Sequence, residues 1–123
     1  MVLLGAGGAA RAIAYEAIVR GADVLILNRT AKRAKEAALA LHCRGDGLDA
    51  LSDDYDILVN CSPDSMPVDA ARIRSGAVVM DVVYSSHLTP FLQEAVHNQC
   101  QIVEGEEMFL NQAVGQTAFW IGL

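Results

Sequence analysis

The chain has 123 residues, 53% of them hydrophobic, and a formal net charge of −6. That length suits one domain with a real core, and the apolar content excludes an intrinsically disordered chain. The acidic balance argues against a nucleic-acid-binding surface, no apolar run is long enough to cross a bilayer, and no signal-peptide pattern opens the chain.

Short apolar runs alternate with longer amphipathic stretches. Val2–Leu4 predicts a strand, and Ala9 to Val19 predicts a helix of strong helix formers, stopped at Gly21 where a C-terminal glycine belongs. "DVLILN", Asp23 to Asn28, is a continuous apolar run, the pattern of a parallel strand covered on both faces. Thr30 is placed to cap a helix reaching Leu41, with Ala34, Ala37, Ala38 and Leu41 as its apolar stripe. His42 to Asp56 holds two glycines and five aspartates, and reads as a weak edge strand with a surface connection. "DILVN", Asp56 to Asn60, is the next strand, ended by the Ser62-Pro63 turn. "GAVVMDVVY", Gly76 to Tyr84, is another, after which Thr89-Pro90 opens a helix to Asn98. Gln101 to Gly105 predicts the last strand, and Glu106 to Phe119 the last helix. This alternation predicts a single doubly wound α/β domain over residues 1–123. It is Rossmann-type, with a mostly parallel sheet in the order 3-2-1-4-5-6 and helices on both faces. Ligands of such sheets lie beyond the carboxyl ends of the strands, at the switch point where the first loop falls.

That loop, Gly5-Ala6-Gly7-Gly8-Ala9-Ala10, fits G-x-G-x-x-A. The first glycine allows a tight turn, the second lets a pyrophosphate approach the backbone, and the small third residue lets helix and strand pack closely. The helix then offers free N–H groups and its positive end to phosphates. Glycine-rich corners also occur without ligands, but one set between a first strand and an alanine-rich helix points to a dinucleotide. The end of the second strand sharpens the choice. NAD sites usually place an acid there for the ribose 2′-hydroxyl; here Asn28 is followed by Arg29, Thr30, Lys32 and Arg33. With Lys35, the cluster holds four of the nine basic residues within seven positions. Such a group suits a 2′-phosphate, which an acid would repel, so the preference is for NADP. Arg29 could also lie flat on the adenine. The bland alternative is a solvated, basic first turn of a helix.

The remaining polar residues are less telling. Cys43, Cys61 and Cys100 are far apart and form no C-x-x-C pair, which reads as free thiols in a reducing compartment. His42, His87 and His97 have no partner at ligand spacing, so surface or capping roles are expected and no metal site is. Asp81, at the end of an apolar strand, suits a functional acid or a turn stabiliser equally. Tyr84, from the carboxyl end of the same predicted strand, should face the cofactor crevice. Gln112, in the last predicted helix, could reach a hydroxylated ligand or solvent.

Four segments in order, "GAGGAARA", "NRTAKRA", "DVVYSSHLTPFL" and "GEEMFLNQAVGQTAFWIG", resemble the C-terminal, NADP-binding half of shikimate dehydrogenases. "DVVYSSHLTPFL" looks especially close to members fused behind a 3-dehydroquinate dehydratase. The resemblance implies that Gly5, Ala6, Gly7, Gly8 and Ala9 hold the pyrophosphate. Asn28 to Arg33 would take the 2′-phosphate and adenine. Ser62, Val82 and the backbone of Gly105 would lie near the nicotinamide side, and Tyr84 and Gln112 would contribute to shikimate binding. The reaction implied is reversible hydride transfer between NADPH and 3-dehydroshikimate, yielding shikimate. Its proton-transferring lysine, paired with an aspartate, belongs to an N-terminal substrate domain that this chain does not contain, so no catalytic residue is expected in residues 1–123 and turnover by the chain alone is not expected. NADP(H), and a substrate shared with that domain, are the expected partners, with no nucleic acid and no membrane; the expected location is the cytoplasm, or the plastid in a plant. "NCSPDSM" departs from the family pattern by Ser65 in place of glycine. Alternatives are a non-catalytic nucleotide-binding or regulatory module, and the cofactor domain of a quinate dehydrogenase. A glutamyl-tRNA reductase cofactor domain shares the glycine loop and "NRT" but fits "GEEMFLNQA" poorly.

Overall fold

The computed structural model describes residues 1–85 and 87–107. They form β1 (Val2–Leu4), α1 (Gly8–Val19), β2 (Leu25–Asn28), α2 (Ala31–Leu41), β3 (Arg44–Gly47), β4 (Ile57–Asn60), β5 (Val78–Asp81), α3 (Pro90–His97) and β6 (Gln101–Val103). Single 3-10 turns at Leu48–Ala50 and Ala70–Arg72 lie in the connections that flank β4. The sheet is parallel throughout, in the order β3-β2-β1-β4-β5-β6. The doubly wound order expected from the alternation is the one observed. No helix among the described residues is long and apolar enough to cross a membrane.

Alternation along the central strands divides the core in two. Leu3, Ile26 and Val59 face α1 and α2, and meet Ala14, Ala17, Ala34 and Ala37. Leu4, Leu27, Leu58 and Val79 face the other side, where Phe91, Leu92 and Ala95 of α3 cover them. Because α1 and α2 present alanines, they lie close to the strands. At Gly45 of β3 an added Cβ would stand 2.4 Å from the carbonyl oxygen of Ala34, so α2 rests directly on the backbone of β3.

The helices α1, α2 and α3 end in the same way. After α1, Gly21 (φ 88°) donates to Ile18 and Ala22 donates to Ala17. His42 (φ 58°) with Cys43, and Gln99 (φ 60°) with Cys100, repeat that double bond after α2 and α3. This is the Schellman arrangement, which favours glycine at its left-handed position. His42 thus has the capping place that its sequence context allowed.

Several boundaries differ from expectation. β2 starts at Leu25 rather than Asp23. β5 stops at Asp81 rather than Tyr84, because the Asp81 carboxylate accepts from the backbone N–H of Val83 (3.0 Å) and turns the chain out of the sheet. β6 stops at Val103, and Gly105 already lies in a helical turn with Glu106 and Glu107. The rest of the predicted last helix, with Gln112, lies outside the described residues.

Candidate functional site

The carboxyl ends of β1, β2, β4 and β5 meet along one edge of the sheet. Gly5 leaves β1 with φ 117°, a conformation that favours glycine. Its N–H donates to Leu27 O (2.7 Å), and a Cβ there would press on the Cys61 and Ser62 backbone at 3.1–3.2 Å. The first glycine therefore serves the turn and also lets the ends of β1 and β4 close up. Ala6 is buried with the α1 side of the core. Gly7 and Gly8 differ from Gly5: nothing lies within 4 Å of an added Cβ at either. Gly7 is the N-cap of α1 and has no side chain to bond the first turn, and Gly7, Gly8 and Ala9 are exposed. The helix thus starts with N–H groups that no intrahelical carbonyl can serve and no side chain covers.

The second strand ends in Asn28, whose amide donates to the carbonyl of Thr30 (3.1 Å). Thr30 occupies the N-cap of α2, but its hydroxyl makes no capping bond; the expected cap is one of position only. Lys32 and Arg33 follow on the exposed first turn of α2, and neither forms an ion pair among the described residues. Arg29 does form one. Its Nη2 lies 2.5 Å from Oδ2 of Asp64, in the turn after β4.

On the other side of β1, side chains hold the turns. Asn60 is fully buried at the end of β4. Its Oδ1 accepts from the Ser62 hydroxyl (2.7 Å) and N–H (3.0 Å), and its Nδ2 donates to Asp64 O (2.9 Å). The same Nδ2 lies 3.4 Å from Oδ1 of Asp81, which is also buried. Asp81 Oδ2 accepts from the Thr89 hydroxyl (2.8 Å), and that hydroxyl caps α3 by accepting from Leu92 N–H (3.3 Å). Of the two readings open for Asp81, its bonds are those of a turn stabiliser and helix-cap partner. No local motif in the sequence marks Asn60 or Asp64. The available signal was the pattern in which apolar strands end in a single polar residue: Asn28, Asn60 and Asp81.

Val82 is half-buried and Tyr84 exposed beyond β5. Gly105 is wedged against the backbone of Val82 and Val83: a Cβ on it would stand 2.3 Å from Val83 O. The approach of Gly105 to Val82 and Val83 is thus a backbone contact that only a glycine permits. Burial beside the Asp81 carboxylate pushes the Cys61 thiol up to about 12, so this cysteine is an inert part of the wall behind Gly5. A small hollow of about 30 Å³ lies between the turns after β2 and β4, lined by Leu4, Gly5, Asn28, Arg29, Ser62 and Asp64 among others. A larger one, about 410 Å³, opens at the opposite, amino-terminal ends of the strands beside Asp23, Asp54 and Asp56. Ligands of doubly wound sheets lie beyond the carboxyl ends of the strands, the end at which the smaller hollow sits.

No family model matches the chain. Known proteins do. The chain is 34% identical over 140 residues to the NADP(+) shikimate dehydrogenase of Methanosarcina mazei, covering all of this chain and 50% of that protein. It is 36% identical over 134 residues to the chloroplastic bifunctional 3-dehydroquinate dehydratase/shikimate dehydrogenase of Arabidopsis thaliana, covering all of this chain and 22% of that one. The structure of shikimate 5-dehydrogenase from Thermus thermophilus, in complex with NADP(H) and shikimate, superposes with a TM-score of 0.93 at 30% identity, over 99% of this chain and 49% of that chain. The chain spans about half the length of the Methanosarcina and Thermus proteins.

Proposed function

We propose that this relative of the shikimate dehydrogenases is their NADP(H)-binding half. The observation that carries the reading is a pairing of two features on adjoining strands. A glycine turn opens an uncapped helix after β1, and a basic turn with no acid at its head follows β2. The residues fit the group: the space over Gly7 and Gly8 is open, and Thr30 leaves the first turn of α2 without a side-chain cap. Gly5 to Ala9 would hold the pyrophosphate through backbone N–H groups. Arg29, Thr30, Lys32 and Arg33 would hold the 2′-phosphate, with Asn28 shaping their turn. Ser62, Val82 and Gly105 would border the nicotinamide side.

When bound, NADPH supplies a hydride to a carbonyl substrate. This chain's part is to hold and orient the dinucleotide, and Tyr84 and Gln112 are proposed to touch a shikimate-type substrate at the crevice. The acid–base groups of the reaction, reduction of 3-dehydroshikimate to shikimate, are assigned to the part of the relatives outside the matched half. The domain over residues 1–123 would then bind NADPH without turning substrate over.

Titration calorimetry with NADPH and NADH tests the reading. Replacing Arg29 and Arg33 together by glutamine removes two charge-assisted contacts. It should weaken NADPH by roughly 30- to 100-fold and NADH by less than about threefold. Equal losses for the two cofactors, or none, would sink the assignment.

A further inference from the structure

The Arg29–Asp64 ion pair has a placement that cofactor binding alone does not explain. Arg29 follows β2, Asp64 follows β4, and the strand order puts β1 between them. The pair therefore bridges the carboxyl end of β1, beside the glycine turn, and both its members line the hollow between the two turns. At about 30 Å³ that hollow has room for roughly one water. A phosphate is too large for that space as the bridge stands. The backbone of Asp64 is held independently of its carboxylate: its N–H donates to the Ser62 hydroxyl (3.3 Å) and its carbonyl accepts from Asn60 (2.9 Å).

We propose that Asp64 is a specificity-determining latch, whose carboxylate holds Arg29 across the crevice and competes with the 2′-phosphate of a dinucleotide for that guanidinium. The inference rests on the reading of Arg29 as a 2′-phosphate ligand and adds a residue that opposes it. The side chains of the pair are 77% and 41% exposed, so the bridge belongs to the weak, salt-sensitive class. A phosphate, with more charge and three acceptor oxygens, displaces the carboxylate and takes over the guanidinium. A dinucleotide without the 2′-phosphate offers Arg29 no new anion. Asp64 also stands close enough to a phosphate on Arg29 to repel it. Its removal therefore favours NADP+ more than NAD+.

The test is a double-mutant cycle on the full chain, with NADP+ and NAD+ as titrants. Asp64→Asn keeps the shape and the backbone bonds of the turn. It should tighten NADP+ about three- to tenfold, tighten NAD+ less, and lose most of that gain when salt is raised from about 0.05 to about 0.5 M. In an Arg29→Gln background the same substitution should tighten NADP+ clearly less than it does in the wild type, since the partner it releases is gone and only the relief of repulsion remains. Unchanged or weakened NADP+ binding by Asp64→Asn overturns the latch, and leaves the cofactor reading standing if Arg29→Gln still costs NADP+ affinity. An equal gain for both dinucleotides also overturns it, and failure of the wild type and Asp64→Asn alike to bind NADP+ overturns latch and cofactor reading together.

Discussion

The two halves of the sheet are joined to their surroundings by different means. On the β1–β3 side, small residues bring backbones together: α2 rests on Gly45, and α1 meets the core through Ala10, Ala14 and Ala17. On the β4–β6 side, polar side chains tie the turns, through Asn60, Asp81 and Thr89 at one end of the strands. Farther along, Arg72 donates to the carbonyls of Leu48 and Leu51, and Asn98 to those of Ala70 and Ile73. The helix starts follow the same division. Those of α1 and α2 carry no side-chain cap, whereas α3 is capped by Thr89 with Pro90 in its first turn. A half that leaves its helix N–H groups open forgoes the stability of caps, about 1 kcal/mol each. Close alanine and glycine packing supplies cohesion there without covering those N–H groups.

Substitutions that attack one means of attachment at a time sharpen this contrast. Gly45→Ala should have the largest effect, a loss of about 3 kcal/mol in urea unfolding, because its Cβ meets a backbone carbonyl and the Ala38 Cβ with no flexible atom to yield. Gly21→Ala is its control: it has the strained φ but open space, and should cost only about 1 kcal/mol. Asp81→Ala should cost about 2 kcal/mol by leaving the Asn60 amide and the Thr89 hydroxyl short of an acceptor. Hydrogen exchange should then show α3 losing protection while α1 keeps it; equal losses in the two helices would break the contrast. His42→Gly and Gln99→Gly should each stabilise by about 0.5–1 kcal/mol, seen as a higher unfolding midpoint, since both positions hold a left-handed φ.

Cys61 adds no such effect at neutral pH, where its thiol is protonated whether the chain is folded or unfolded. Its folded thiol is raised to about 12 from an ordinary value near 9, so the neutral form is favoured by folding. The thiol therefore costs no stability below pH 9, and stability is lost as pH rises toward 12. At pH 9, iodoacetamide should therefore spare Cys61 in the folded chain and label it after unfolding. Rapid labelling of the folded chain would mean that the wall behind Gly5 is open.

The sequence showed the β1–β3 side more fully than the β4–β6 side, for a physical reason. Glycine spacing, alanine stripes and a basic turn are local patterns, and they mark the Gly5 turn, α1, α2 and the Asn28–Arg33 segment directly. The bonds of Asn60, Asp64 and Asp81 join residues from 2 to 35 positions apart in the chain, and the longest depend on which strands become neighbours. Val82, Val83 and Tyr84 all suit a strand, which predicts a β5 reaching Tyr84; a side-chain bond from Asp81 to its own turn overrides that local preference. Gly45 likewise gave no periodic signal, since what it permits is the approach of another element.

One consequence follows from β3. The sheet ends there on four residues, Arg44 to Gly47, two of them glycines and two of them exposed charges. A short, charged border of poor strand formers is a weak template for pairing with a stranger's backbone. The same glycine that lets α2 lie flat thus helps to make this rim a place where the sheet terminates, and a concentrated solution of the chain gains some resistance there to edge-to-edge aggregation.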